Sequence, residues 1–225
     1  MCSHYDPVLN PSRLKQYFGV EDNVPPLKPS LWPGYVGPFL KKHEFADVGD
    51  EAVPTKELMI GAFGLIPHWS KDDKIVRRTY NARSETAHEK PSFQYSWNWG
   101  RHCIIPAEAI FEPDWRSGKA VGTRIVRTDG NPIGIAGLWS MWENPANGQN
   151  LHSFTMLTVN ADDHEFMRHY HKPEDEKRMV VILQDDQYDD WLSAKPEESR
   201  WFLKQFPAEN MQVDQKKEII QSTLL

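Results

Sequence analysis

The chain has 225 residues, 39% of them hydrophobic, with 9 Trp and a formal net charge of −6 at pH 7. That length suits one large domain or two small ones, with ample aromatic material for a packed core. No run of about eighteen apolar residues occurs and the N-terminus has no signal-peptide pattern; the two cysteines, Cys2 and Cys103, make no disulfide framework, so a reducing cytoplasm and no membrane are expected.

In chain order, Pro11 to Phe18 reads as a short helix. Residues 23–56 are dense in Pro and Gly, from Pro25 to Pro38, and read as irregular wrapping. Leu58 to Leu65 and Arg101 to Ile105 read as strands. Thr123 to Arg127 and Ile133 to Leu138 flank Asp129-Gly130, a hairpin signal. Asn147-Gly148 precedes a further strand, Ser153 to Val159. Asp162 or Asp163 is placed to cap a helix running to about His169. Met179 to Leu183 has no polar alternation and reads as a buried strand. Asp186 to Ser193 and Glu197 to Gln205 read as helices, with Pro196 near the first turn of the second. The expected fold is a single α+β domain over residues 1–225, mostly antiparallel, with peripheral helices. Its motif-bearing core spans about 1–184 and a helical part about 185–225.

Charge is uneven. Residues 160–225 hold 9 Lys+Arg against 15 Asp+Glu, which leaves 17 of each sign in residues 1–159. Between Lys71 and Arg101 lie 7 basic and 4 acidic residues, interleaved with Trp69, Tyr80, Phe93, Tyr95, Trp97 and Trp99 around them. That interleaving suits a single-stranded nucleic-acid groove, in which cations meet phosphates and rings stack on bases; it equally suits a solvated basic face over an aromatic core.

Some chemistries are excluded. His164-Glu165-Phe166-Met167-Arg168 lacks the second histidine of the zinc-protease signature, and His169 with His171 makes no metal site at ligand spacing. No phosphate-binding glycine loop and no Gly-x-Ser-x-Gly elbow is present. Neither a metal nor another cofactor is expected.

Cys2 follows Met1 directly. With Met1 removed, Cys2 carries a free amine and a thiol on adjacent carbons. An α-amine has a reference pKa near ~7.7–8 against ~10.4 for lysine, so its neutral form is roughly 300 times more abundant at neutral pH. Such an amine condenses with an aldehyde to a Schiff base, and the thiol can then close a thiazolidine ring. Three further segments carry polar groups suited to this chemistry. One runs from Phe63-Gly64-Leu65-Ile66-Pro67-His68-Trp69 to Asn81-Ala82-Arg83-Ser84-Glu85; if residues 81–85 are extended, Asn81, Arg83 and Glu85 share a face. Another is Cys103 to Glu112, in which Glu112 closes an apolar stretch, a desolvated setting suited to acid–base work. The last runs from Leu157-Thr158-Val159-Asn160 through His171 to Arg178-Met179.

Taken in this order, the segments resemble the SRAP family, the SOS-response-associated peptidases or abasic-site processing proteins, over nearly the whole chain from Cys2 to about Leu183. The resemblance implies a mature N-terminal cysteine that crosslinks to the ring-opened aldehyde of an abasic site in single-stranded DNA. It implies Cys2 as nucleophile, Asn81 orienting the cysteine amine and the opened sugar, Glu112 shuttling protons, and His171 protonating the ring oxygen, with His169 as its rival. Trp69, Arg83 and Thr158 would line the DNA channel. His4 stands where the family commonly has arginine, so a phosphate contact there is weakened or replaced. Ala107-Glu108-Ala109-Ile110-Phe111-Glu112-Pro113 keeps the glutamate of the family segment but not its flanks. Two other readings stay open: a thiol peptidase acting through Cys2, and a noncatalytic single-strand-binding module.

Overall fold

A computed structural model describes residues 2–50 and 52–214. Ten strands join in one sheet. They are β1 (His4–Pro7), β2 (Val36–Lys42), β3 (Lys56–Phe63), β4 (Asn81–Arg83) and β5 (His102–Asp114), followed by β6 (Val121–Arg127), β7 (Ile133–Glu143), β8 (Asn150–Asn160), β9 (Arg178–Val180) and β10 (Met211–Val213). Helices α1 (Pro11–Phe18), α2 (Gln94–Asn98) and α3 (Tyr188–Ser193) are short and peripheral.

Five of the strands close on themselves: β5 pairs β2, β2 pairs β3, β3 pairs β8, β8 pairs β7, and β7 returns to β5. Two of the closing contacts are brief, Leu40 against Ile104 between β2 and β5, and Ala62 and Phe63 against Ser153 and Phe154 between β3 and β8. Closure removes sheet edges and encloses one core, in which Leu40, Phe63, Ile104, Leu138 and Phe154 are all fully buried. Pairing is antiparallel except for β3–β8 and β4–β8. The single α+β, mostly antiparallel domain read from the sequence is what forms.

Strand β5 organises the molecule. Cys103, Ile104, Ile105 and Ala107 have no exposure, because both faces of this strand are covered. On the outside, Trp191 of α3 donates its indole N–H to the Cys103 carbonyl at 2.9 Å and packs against His102, whose Nε2 lies 2.8 Å from the Ser199 hydroxyl. Helix α1 forms where its sequence dictates. Asn10 caps the Ser12 and Arg13 amides, Pro11 opens the first turn, and Gly19 ends the helix with φ 70°. Its buried Leu14 and Phe18 share one face, and Phe18 stacks on Tyr188 of α3.

Several expectations are corrected. The Pro/Gly-rich stretch contains β2, whose seven residues pair in register with β3; cross-strand partners outweigh the poor strand propensity of Gly37 and Pro38. The Asp129-Gly130 turn does not make a hairpin, because β6 and β7 pair with successive segments of β5 rather than with each other. The helix expected up to His169 is one 3₁₀ turn, Met167–His169, and Asp162 bonds the Lys177 amide instead of capping. The helix expected from Glu197 to Gln205 is likewise one turn, Ser199–Trp201. The supposed helical part after residue 185 holds α3, such turns, and β10, which pairs with β6; its last residues, 215–225, lie outside the described ones.

Candidate active site

Cys2 reaches the interior because β1 is laid antiparallel along β5. The pairs are His4 with Phe111, Tyr5 with Ile110 and Asp6 with Ala109. Continuing that register brings Cys2-Ser3 alongside Glu112-Pro113. Asp6, almost fully buried, fastens the strand by accepting from Ser30 and Arg124. The Cys2 side chain is 1% exposed, and its thiol donates to the His4 carbonyl at 3.3 Å. Burial, and then the charge of Glu112, push the thiol pKa up to about 12. Asn81, the first residue of β4, donates its side-chain amide to the Cys2 carbonyl at 2.6 Å, while its Oδ1 is buried without a hydrogen-bond partner. The half-buried Tyr80 has its pKa raised by burial and then by the charges of Cys2 and Glu112.

Glu112 is 1% exposed, and its Oε2 lies 2.7 Å from Nε2 of His171. His171 adopts φ 65°, a left-handed conformation unfavourable for a residue with a Cβ. Its amide donates to the Pro113 carbonyl at 2.9 Å, and the neighbouring Tyr170 bridges Asp114, so this segment is tied to the end of β5. His169, the rival, is exposed and close enough to lower the pKa of Asp114, although Arg116 is the main cause of that shift.

Beside His171 opens a cavity of about 410 Å³, lined by Arg83, Pro113, Trp115, Lys172, Arg178 and the acidic Asp175 and Glu176. Arg83 is half-exposed and pairs with Glu176 at 2.6 Å. Arg178 is buried; it makes a two-pronged contact with Glu85 and donates to Glu176 and to the Thr158 carbonyl. Arg178, then Arg83 and Asn160, hold the Glu176 pKa down to about 2. Burial opposes ionisation of Glu85, but the bonds from Arg178 prevail and its pKa is lowered.

Cys2, Asn81, Glu112 and His171 therefore converge, with Arg83 at the rim of the adjoining cavity. Thr158 is fully buried and steadies Arg178 instead of lining an open channel. Glu85 lies beyond the end of β4, which stops at Arg83. His4 is sandwiched between Trp32 and Phe111, with ring centroids 4.2 and 3.9 Å away. Trp69 lies in a separate cleft, its indole donating to the Pro91 carbonyl. Sequence reasoning missed Tyr80 and the central part played by Arg178. The latter left one trace, a cation directly before an apolar strand. No three-residue cluster of metal ligands occurs among the described residues, and no helix there is long and apolar enough to cross a membrane.

Fold and site together define a small closed-barrel protein whose first strand delivers a buried cysteine to a glutamate–histidine pair. The family model described as SOS response associated peptidase (SRAP) matches residues 1–222, and the chain belongs to that family. It is 34% identical over 164 residues to the abasic site processing protein YoqW of Bacillus subtilis (strain 168), covering 71% of this chain and 69% of that one. It is 29% identical over 201 residues to the abasic site processing protein HMCES of Gallus gallus, covering 78% of this chain and 56% of the relative. A crystal structure of a Bordetella bronchiseptica protein superposes with a TM-score of 0.84 at 43% identity, covering 94% of this chain and 98% of the other. A Bacteroides thetaiotaomicron protein shares the fold, with a TM-score of 0.74 at 21% identity.

Proposed function

We propose that this protein processes abasic sites in single-stranded DNA by forming a covalent thiazolidine adduct through Cys2 once Met1 is removed. The convergence of Cys2, Asn81, Glu112 and His171 carries the reading, and relatives named abasic site processing proteins support it. His171 protonates the ring oxygen of the closed lesion, releasing the aldehyde. The Cys2 amine adds to the carbonyl; the carbinolamine loses water to give a Schiff base. The thiol sulfur then adds to the C=N carbon while its proton passes to the nitrogen, so aldehyde plus cysteine yields thiazolidine plus water. Glu112 relays the protons of these steps. Asn81 holds the Cys2 main chain where the amine meets the carbonyl.

The buried thiol, with its pKa near 12, fits this order of events. The amine attacks first, and the sulfur need not ionise beforehand. A cysteine peptidase instead needs a thiolate of depressed pKa. That observation weighs against the peptidase reading, and removal of Met1 by the protein itself is the residual form of it. Lyase activity would require only that the Schiff base decay by strand cleavage before ring closure. The noncatalytic module has no use for the buried Glu112–His171 pair.

Intact mass after incubation with an abasic oligonucleotide tests the proposal. The expected product is protein lacking Met1 plus oligonucleotide minus one water, with Cys2→Ser giving no heat-stable adduct. Equal adducts from Cys2→Ser and wild type overturn it, and turnover of unrelated peptides favours the peptidase.

A further inference from the structure

The aromatic and basic residues around Lys71–Arg101 are only partly used by the site described above. The remainder gathers at a different place. Trp69 and Trp99, 50% and 69% exposed, line a cleft of about 360 Å³ with Tyr95 between them, and none of the cleft's lining residues is acidic. Tyr95 lies 5.9 Å from Trp99 and 4.5 Å from His68, centroid to centroid. The Arg101 guanidinium then sits 4.9 Å from the ring centres of both Tyr95 and Trp139. Lys41 follows, 5.3 Å from the Trp139 centroid. There Lys41 pairs with Glu57. In this strip, three rings at the Trp69 end are thus followed by Arg101, Trp139 and, largely buried, Lys41.

The strip runs away from the reactive cysteine. Arg101 precedes the first residue of β5, and Glu112 lies near its other end. At about 3.3 Å per residue the two are on the order of 30 Å apart. A run of π-faces interleaved with cations binds unpaired nucleic acid without reading its sequence, because every base has a face to stack and every nucleotide a phosphate.

We propose that this strip is an accessory binding track for the undamaged single strand flanking the lesion, with Trp99 and Arg101 as its central contacts. The assignment rests on the abasic-site reading for its purpose but not for its chemistry. The track takes any unpaired DNA segment and enlarges the footprint on one side of the crosslink site. Trp99 and Tyr95 supply stacking surfaces, and Arg101 meets the backbone while packed between two rings that fix its direction. The exposure of Trp99 leaves the fold little dependent on it.

Two measurements test this. The first is fluorescence anisotropy with undamaged single strands of about 5 and about 20 nucleotides, for wild type, Trp99→Ala, Trp99→Phe and Arg101→Ala. The second is adduct formation on a short abasic oligonucleotide with no flanking extension. Trp99→Ala and Arg101→Ala should each weaken the long strand by about fivefold or more, as loss of a base-stacking or phosphate contact does, with Trp99→Phe close to wild type. The gap between long and short strands should shrink in both alanine variants, while adduct formation on the short substrate keeps its wild-type rate. Long-strand affinity equal to wild type in both alanine variants overturns the track and leaves this surface to a protein partner. Equal losses on short and long strands also overturn it. If wild type forms no adduct at all, the abasic-site reading fails, whereas the anisotropy comparison still decides the track.

Discussion

Nε2 of His171 lies 2.7 Å from Oε2 of Glu112, and both side chains are buried. The pair joins two distant segments of the chain. It depends on a left-handed backbone at His171 and on the bond from the His171 amide to Pro113. General acid–base catalysis of this kind typically contributes ~10²–10⁴-fold. Glu112→Gln, which keeps the shape and removes the proton exchange, should slow adduct formation within that range while leaving single-strand affinity nearly unchanged. His171→Ala should slow it through ring opening. An open-chain aldehyde analogue of the lesion should therefore rescue His171→Ala more than Glu112→Gln. Time courses on both substrates check this; equal rescue would reassign the roles.

The Cys2 thiol is protected by its surroundings. Its pKa of about 12, raised by burial and by Glu112, keeps it protonated across the neutral range. A raised folded-state pKa contributes stability below the unfolded value near 9, and that contribution is lost as pH climbs toward 12. Alkylation of Cys2 by iodoacetamide should stay slow from pH 7 to 9 and accelerate only above that, unlike an exposed thiol. Mass-resolved labelling rates against pH give the comparison, with unfolded protein as the reference.

Arg178 should matter more to stability than its distance from Cys2 suggests. Its removal leaves the buried Thr158 carbonyl and hydroxyl and the carboxylates of Glu85 and Glu176 without their shared donor. Stranded polar groups cost roughly 1–3 kcal/mol. At about 2–4 °C per kcal/mol for a chain of this size, Arg178→Met should lower Tm by roughly 2–12 °C. The Glu176 pKa near 2 sets the pH dependence: a depressed carboxylate stabilises above its unfolded value of about 4.5, and the effect is lost as pH falls toward 2. Glu176→Gln should flatten that acid limb in thermal melts recorded from pH 7 to 2.

Gly64 cannot be replaced. It has φ 126°, and an added Cβ would stand 2.2 Å from the Val76 carbonyl oxygen, a backbone atom with no rotamer to escape into. Gly64→Ala combines a strained conformation with a steric clash and should cost at least ~2 kcal/mol. Urea unfolding with an unchanged m-value would measure it.

Much was legible locally. Helix α1 spans Pro11–Phe18 as read, and the apolar runs mark β3 and β8 within a few residues of their ends, whereas β5 and β7 start as read but run on to Asp114 and Glu143, well past the expected Ile105 and Leu138. The spacing of residues in β4 puts Asn81 and Arg83 on one face, since alternate residues of a strand share a side. What failed was partnership. A turn residue pair cannot tell whether its flanking strands pair with each other or with a third strand, which is why Asp129-Gly130 misled. Short acidic segments near residues 163 and 198 look helical, yet nucleating a helix is costly for so few residues, and they close single turns only.

The sequence by itself determined the strand-rich α+β class, the α1 caps and the set of chemical groups available: an amine-bearing thiol, an amide, a carboxylate and an imidazole. Tertiary structure alone decided their meeting. Cys2 reaches the Glu112 end of β5 because β1 adds to β5 in one register, and a slip by one residue would reverse every side chain of that strand. His171 reaches Glu112 only because the chain between β8 and β9 is tied to Pro113 and Asp114. Both are long-range pairings. Their energy comes from burial and backbone bonds shared by distant segments, and no local pattern encodes that.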